Sequence, residues 1–165
     1  MTGVLLQGLP PVIDANARVL ILGSFPSAAS LAAGQYYGNP KNQFWRILGP
    51  VLDQPLSELD YAERIAAVRA AGIAIWDVFA ACEREGSLDA AIRNARANDL
   101  SRLQKSAPAL RRVCFNGRTA ARVQATVAAL GYEIRILPST SPAHAGMGFE
   151  EKLRRWREAL TVTND

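Results

Sequence analysis

Residues 18–24 read RVLILGS: one basic residue, four consecutive branched aliphatics, then Gly23 and Ser24. A short apolar run closed by turn residues fits a strand buried on both faces, and such strands need helices above and below them. Three further runs share this form, IAIWDVF (73–79), RRVCFNG (111–117) and YEIRILPS (132–139), and helical patterns separate them. The alternation predicts an α/β fold whose parallel sheet carries helices on both faces. Ser57, with Asp60 three residues on, reads as a capped helix start; YAERIAAVRAA follows, and Gly72 closes that helix. In the last helix Phe149, Leu153, Trp156 and Leu160 recur at core spacing, which turns Arg154, Arg155 and Arg157 outward.

The chain has 165 residues, 49% of them hydrophobic, enough for one domain over 1–165 with its own core. Its formal charge of +4 is uneven: residues 1–90 carry 6 basic and 9 acidic side chains, residues 91–165 carry 13 and 6. A cationic C-terminal half suits a polyanion such as nucleic acid, and equally a solvated surface. Cys82 and Cys114 stand far apart, so neither a disulfide framework nor a metal-ligand spacing is expected. No charged leader precedes an apolar run, and no apolar stretch is long enough to span a bilayer. An intracellular, cytoplasmic protein follows, with no membrane association. No internal repeat is present, and a monomer is expected.

Polar residues cluster just after the four runs: Gly23-Ser24-Phe25-Pro26-Ser27, Asp77, Asn116-Gly117 and Ser139-Thr140-Ser141. Ligands of open parallel sheets bind beyond the carboxyl ends of the strands, so these segments are expected to meet around one crevice. Each also has a plain structural use, Ser27 and Asp77 as caps, Gly117 as a release from strand to helix, the serines as a solvated loop. Residues 35–45, QYYGNPKNQFW, add four aromatics and two asparagines. Asn39-Pro40 reads as a helix start, asparagine at the cap and proline at the first helical position, with Phe44, Ile47 and Leu48 on the buried face. That leaves Tyr36, Tyr37 and Asn42 unexplained, and rings beside short amides suit a flat polar ligand.

Taken together, LILGSFPS, YYGNPKNQFW, FNG and LPSTSPAHA resemble, in this order across residues 19–160, the uracil-DNA glycosylase superfamily, most closely its hypoxanthine-DNA glycosylase branch. The resemblance implies a three-layer α/β/α sandwich with a central, mainly parallel four-stranded sheet. It also implies hydrolysis of the N-glycosidic bond of a deaminated base in DNA, without metal or cofactor. Other branches place Asp or Asn in the first motif to handle the attacking water; Phe25 occupies that position here and cannot. The resemblance moves the task to Asn39; on the residues themselves Asn42, one turn onward, and Asp77, the only carboxylate immediately after a strand, stand in reserve. It places Tyr37 against the extruded base and Asn116 at the base edge; backbone N–H groups around Ser24 and Phe25 are candidate donors to the charge that develops there. The loop carrying Ser139, Thr140 and Ser141 would grip phosphates, with Ser139 where relatives often have His or Asn.

The physics of base choice can be stated independently. One carboxamide can donate to a carbonyl and accept from the neighbouring N–H, a pair shared by hypoxanthine and uracil, whereas adenine presents the reverse. Two mismatched polar contacts cost several kcal/mol, a rejection of roughly 10⁴-fold. Guanine shares the pair and must be excluded by crowding at its amino group. Extruding the nucleotide costs a few kcal/mol, less at a mispair, and stacking on Tyr37 would return roughly 1–3 kcal/mol. An amide at Asn39 would orient water without taking its proton, and a helix cap at the same oxygen would compete for it. Asp77 as a base would lose activity in acid. His144, the sole histidine, and Arg118, just after Asn116, are candidate DNA contacts, as is Ser27. The alternatives are a uracil-directed glycosylase and a non-catalytic nucleotide- or DNA-binding domain, although GSFPSAAS lacks the glycine spacing and Lys-Ser/Thr ending of phosphate loops.

Overall fold

The computed structural model describes residues 3–161. Strand β1 (Leu5–Gln7) is followed by β2 (Val19–Gly23), α1 (Ala28–Ala33), α2 (Phe44–Leu52), α3 (Tyr61–Ala70), β3 (Ile73–Asp77) and β4 (Phe79–Glu83). Then come β5 (Arg93–Ala97), α4 (Leu103–Ser106), β6 (Arg112–Asn116), α5 (Gln124–Ala129), β7 (Glu133–Leu137) and α6 (Phe149–Leu160). The four apolar runs form one parallel sheet in the order β3-β2-β6-β7, as the alternation predicts. Register places Gly23 opposite Asp77 and Asn116 opposite Leu137, so the polar residues that end the strands share one edge.

Every residue of β2 and β3 is buried, because alternate side chains enter different cores. Val19, Ile21, Ile73 and Ile75 pack with Phe44, Ile47, Val68 and Trp156 of α2, α3 and α6. Leu20, Leu22, Ala74 and Trp76 pack with Leu103 of α4, Val127 of α5 and the turn around Ala120. These are the three layers. Among the described residues no helix is long and apolar enough to cross a membrane.

Three expectations are corrected. IAIWDVF is not one strand: the chain leaves the parallel sheet after Asp77, and β4 pairs instead with β1 and β5 in a separate antiparallel sheet. The helix of YAERIAAVRAA starts at Asp60, whose carboxylate accepts from Glu63 N while Glu63 answers at Asp60 N; Ser57 lies in a preceding 3₁₀ turn. Gly72, at φ 75°, follows that helix as expected. Asn39-Pro40 does not start α2. Asn39 closes a turn on itself, its Oδ1 accepting from Lys41 N (3.0 Å) and its carbonyl from Asn42 N (2.9 Å). Asn42 Oδ1 then accepts from Phe44 N at 2.9 Å, which postpones the helix to Phe44.

Candidate active site

A cavity of about 670 Å³ opens beyond the carboxyl ends of the parallel strands. Its wall includes Gly23, Ser24, Phe25 and Ser27 from the end of β2, Asp77 from β3, and Asn116, Gly117 and Arg118 from β6. Tyr37, Asn39 and Asn42 enter from the segment before α2, and Ser139, Thr140, Ser141 and His144 from the segment after β7. Every residue singled out for the site in the sequence thus borders one space, Asn39 and Asn116 included. The connection between β4 and β5 adds Ser87, Leu88, Asp89 and Ala90, which sequence reasoning missed. β5 is exposed throughout and shows no alternation of apolar residues that would betray it.

The segments are tied to one another by hydrogen bonds. Gln43 N donates to Thr140 O (3.0 Å) and Trp156 Nε1 to Pro138 O (3.0 Å), which fixes the 138–141 segment to α2 and α6. Lys152, buried in α6, donates from Nζ to His144 O (2.7 Å) and Gln43 Oε1 (3.1 Å). Ser139 Oγ accepts from Ser141 N, and Ser141 Oγ from Ala143 N, so the serines turn the loop on itself. Ser24 Oγ donates to Asp89 Oδ1 at 2.7 Å, which holds the β4–β5 connection against the cavity. Ser27 caps α1, its Oγ accepting from Ser30 N. His144 and Arg118 are exposed at the rim.

Tyr37 and Asn116 are less free than a ligand-reading pair requires. Tyr37 has φ 54°, a left-handed conformation that a bulky side chain rarely adopts. One ring face is covered by Phe44 at 3.8 Å between centroids, 13° from parallel, so only the other could meet a base. Burial holds its hydroxyl well above the usual phenol range, so it stays neutral. Asn116 donates from Nδ2 to Tyr37 Oη (3.1 Å) and Thr140 Oγ1 (3.0 Å), and its Oδ1 accepts from Thr140 N (3.0 Å). Both amide protons are committed. A lone pair on Oδ1 is left, and the expected donor-plus-acceptor reading by Asn116 would require breaking bonds that hold the wall.

Asn39 is the reverse case. Its Oδ1 is shared with Lys41 N, retains a second lone pair, and no helix depends on it. The backbone bond that competes for this oxygen is therefore that of a turn and not of a helix cap. Asn42 is bound to the start of α2. Phe25 is buried beneath the Arg84 guanidinium, 5.2 Å from its ring, and offers no group for water.

Asp77 is 5% exposed. Its Oδ2 has no hydrogen-bond partner among the described residues. Burial pushes its carboxyl up to about 7, Asp89 adds to the shift, and Arg84 opposes it. A Cβ on Gly23 would lie 2.6 Å from Asp77 Oδ1 and 3.1 Å from Tyr37 Oη, so only glycine lets these groups crowd the end of β2. No group of three or more His, Cys, Asp or Glu able to hold a metal occurs among the described residues.

Comparison with known proteins adds four findings. A model of the uracil DNA glycosylase superfamily matches residues 10–161. A hypoxanthine DNA glycosylase of Methanosarcina acetivorans is 43% identical over 138 residues, covering 84% of this chain and 87% of the relative. One of Methanosarcina barkeri is 41% identical over 154 residues, covering 93% and 97%. A solution NMR structure from Methanosarcina acetivorans, of a candidate uracil DNA glycosylase, superposes with a TM-score of 0.87 at 38% identity, covering 95% of this chain and 97% of that one.

Proposed function

The chain belongs to the uracil DNA glycosylase superfamily, and from that premise we propose that it is a monofunctional DNA glycosylase that releases deaminated bases, hypoxanthine first among them. The observation that carries this reading is the cavity: the segments that resemble the glycosylase motifs, scattered from residue 23 to residue 144, all border it. The 41–43% identity to two hypoxanthine DNA glycosylases over most of the chain supports hypoxanthine over uracil.

In this mechanism the damaged nucleotide is turned out of the duplex into the cavity and lies against the free face of Tyr37. Water held by Asn39 Oδ1 faces the sugar. Breaking the glycosidic bond builds positive charge on the sugar and negative charge on the base, so prearranged dipoles count for more than a strong base. Arg118 and the backbone of residues 139–144 engage the flanking phosphates. The protein acts on DNA as a monomer, through one domain.

The test is a panel of duplexes, each with one inosine, uracil or xanthine. Hypoxanthine is expected to leave fastest, giving an abasic site without strand cleavage. Faster uracil release would make the enzyme uracil-directed. Salt-sensitive binding without base release would instead identify a non-catalytic DNA-binding domain.

A further inference from the structure

Among the described residues, two buried side-chain heteroatoms have no hydrogen-bond partner: Arg84 Nη1 and Asp77 Oδ2. Arg84 lies over Phe25, with its Nε and Nη2 bound to Gly86 O and Pro26 O, and it is not part of the cavity wall. Asp77 is part of that wall. An unpaired oxygen this deep is costly unless a ligand completes it. The Asn116 amide cannot supply the missing donor, since both its protons go to Tyr37 and Thr140.

We infer that Asp77, as a neutral carboxyl, donates a hydrogen bond to a lone pair on the extruded base and stabilises the charge that gathers there as the glycosidic bond breaks. This rests on the glycosylase reading and deepens it. The electron pair of the C1′–N bond moves onto the base, where the Asp77 O–H meets it. The water oxygen bonds to C1′ and gives up a proton to solvent, and the departing base takes one from solvent. Asp77 keeps its own. The surroundings favour the protonated form: the carboxyl is buried, Asp89 faces it from the β4–β5 connection, the neutral Tyr37 hydroxyl crowds the same end of β2, and Arg84 opposes from behind Phe25, while Arg118, Arg155 and His144 also line the cavity. With its carboxyl raised to about 7, Asp77 is available as a donor near neutrality.

A general base at the same position would behave in the opposite sense, which makes the assignment testable. Single-turnover release of hypoxanthine from an inosine duplex is measured from about pH 5 to 9 for the wild type, Asp77→Asn and Asp77→Ala. The wild-type rate is expected to fall roughly tenfold per unit above neutrality. Asp77→Asn, whose amide N–H can still donate, is expected to lose about three- to tenfold at low pH and to show no alkaline fall; Asp77→Ala is expected to lose roughly 10²-fold or more throughout. An acidic limb in the wild type with Asp77→Asn as inactive as Asp77→Ala would overturn the inference, as would an Asp77→Ala enzyme at wild-type speed. Thermal melts accompany each variant, and if Asp77→Ala does not fold, the Asp77→Asn profile decides. A wild type that releases no base sinks the glycosylase reading itself, and this inference with it.

Discussion

Burial of the Asp77 carboxyl, with Asp89 close by, builds a pH dependence into the fold. Its folded pKa, raised from 3.8 to about 7, stabilises the protein fully below the unfolded value and is lost as pH climbs through the folded one. Asp77→Asn, neutral and isosteric, is therefore expected to raise stability at about pH 8, by a few kcal/mol at most, and to change little near pH 3. Urea unfolding at the two pH values measures this; equal effects at both would refute the buried neutral carboxyl. The sequence made Asp77 visible only as a carboxylate following a strand. It left Asn116 as a free amide, because its commitments join residues 79 and 24 positions away, through Tyr37 and Thr140. Asn39 was legible by type and place, yet its release from capping duty depends on a turn that propensity does not resolve.

Among the elements, the four parallel strands were readable because full burial on two faces leaves an unmistakable apolar run. The antiparallel β1-β4-β5 sheet was not, since β5 (RNARA) is exposed and β1 has three residues. Helix starts were the weakest point. Ser57 and Asp60 both fit a cap, and only the reciprocal bond between Asp60 and Glu63 chooses. Asp60→Ala is expected to cost about 1 kcal/mol in chemical unfolding and Ser57→Ala close to nothing, with base release unchanged in both. Equal costs would return the cap to Ser57. Before α2 the paired asparagines supply two successive side-chain turns in place of one cap, and this delay carries Asn39 and Asn42 to the cavity rather than into the helix.

At the scale of the whole molecule, charge and cavity point the same way. The excess of arginine in the second half includes Arg118 at the cavity rim, which forms no ion pair among the described residues, and Arg154, which is paired with Glu151 and Glu158 on α6. Duplex affinity measured against salt is expected to lose about one unit of slope in Arg118→Ala and none in Arg154→Ala. Identical slopes would remove Arg118 from the DNA interface. Composition alone could not make this distinction, because it counts arginines without their partners. The central claim is that one cavity accepts the base while Asn39 steers the water. Its most direct test is single-turnover release of hypoxanthine from an inosine duplex by Asn39→Ala beside the wild type. The account predicts a fall of roughly 10²-fold or more with duplex affinity and melting temperature preserved; an unchanged rate would contradict it.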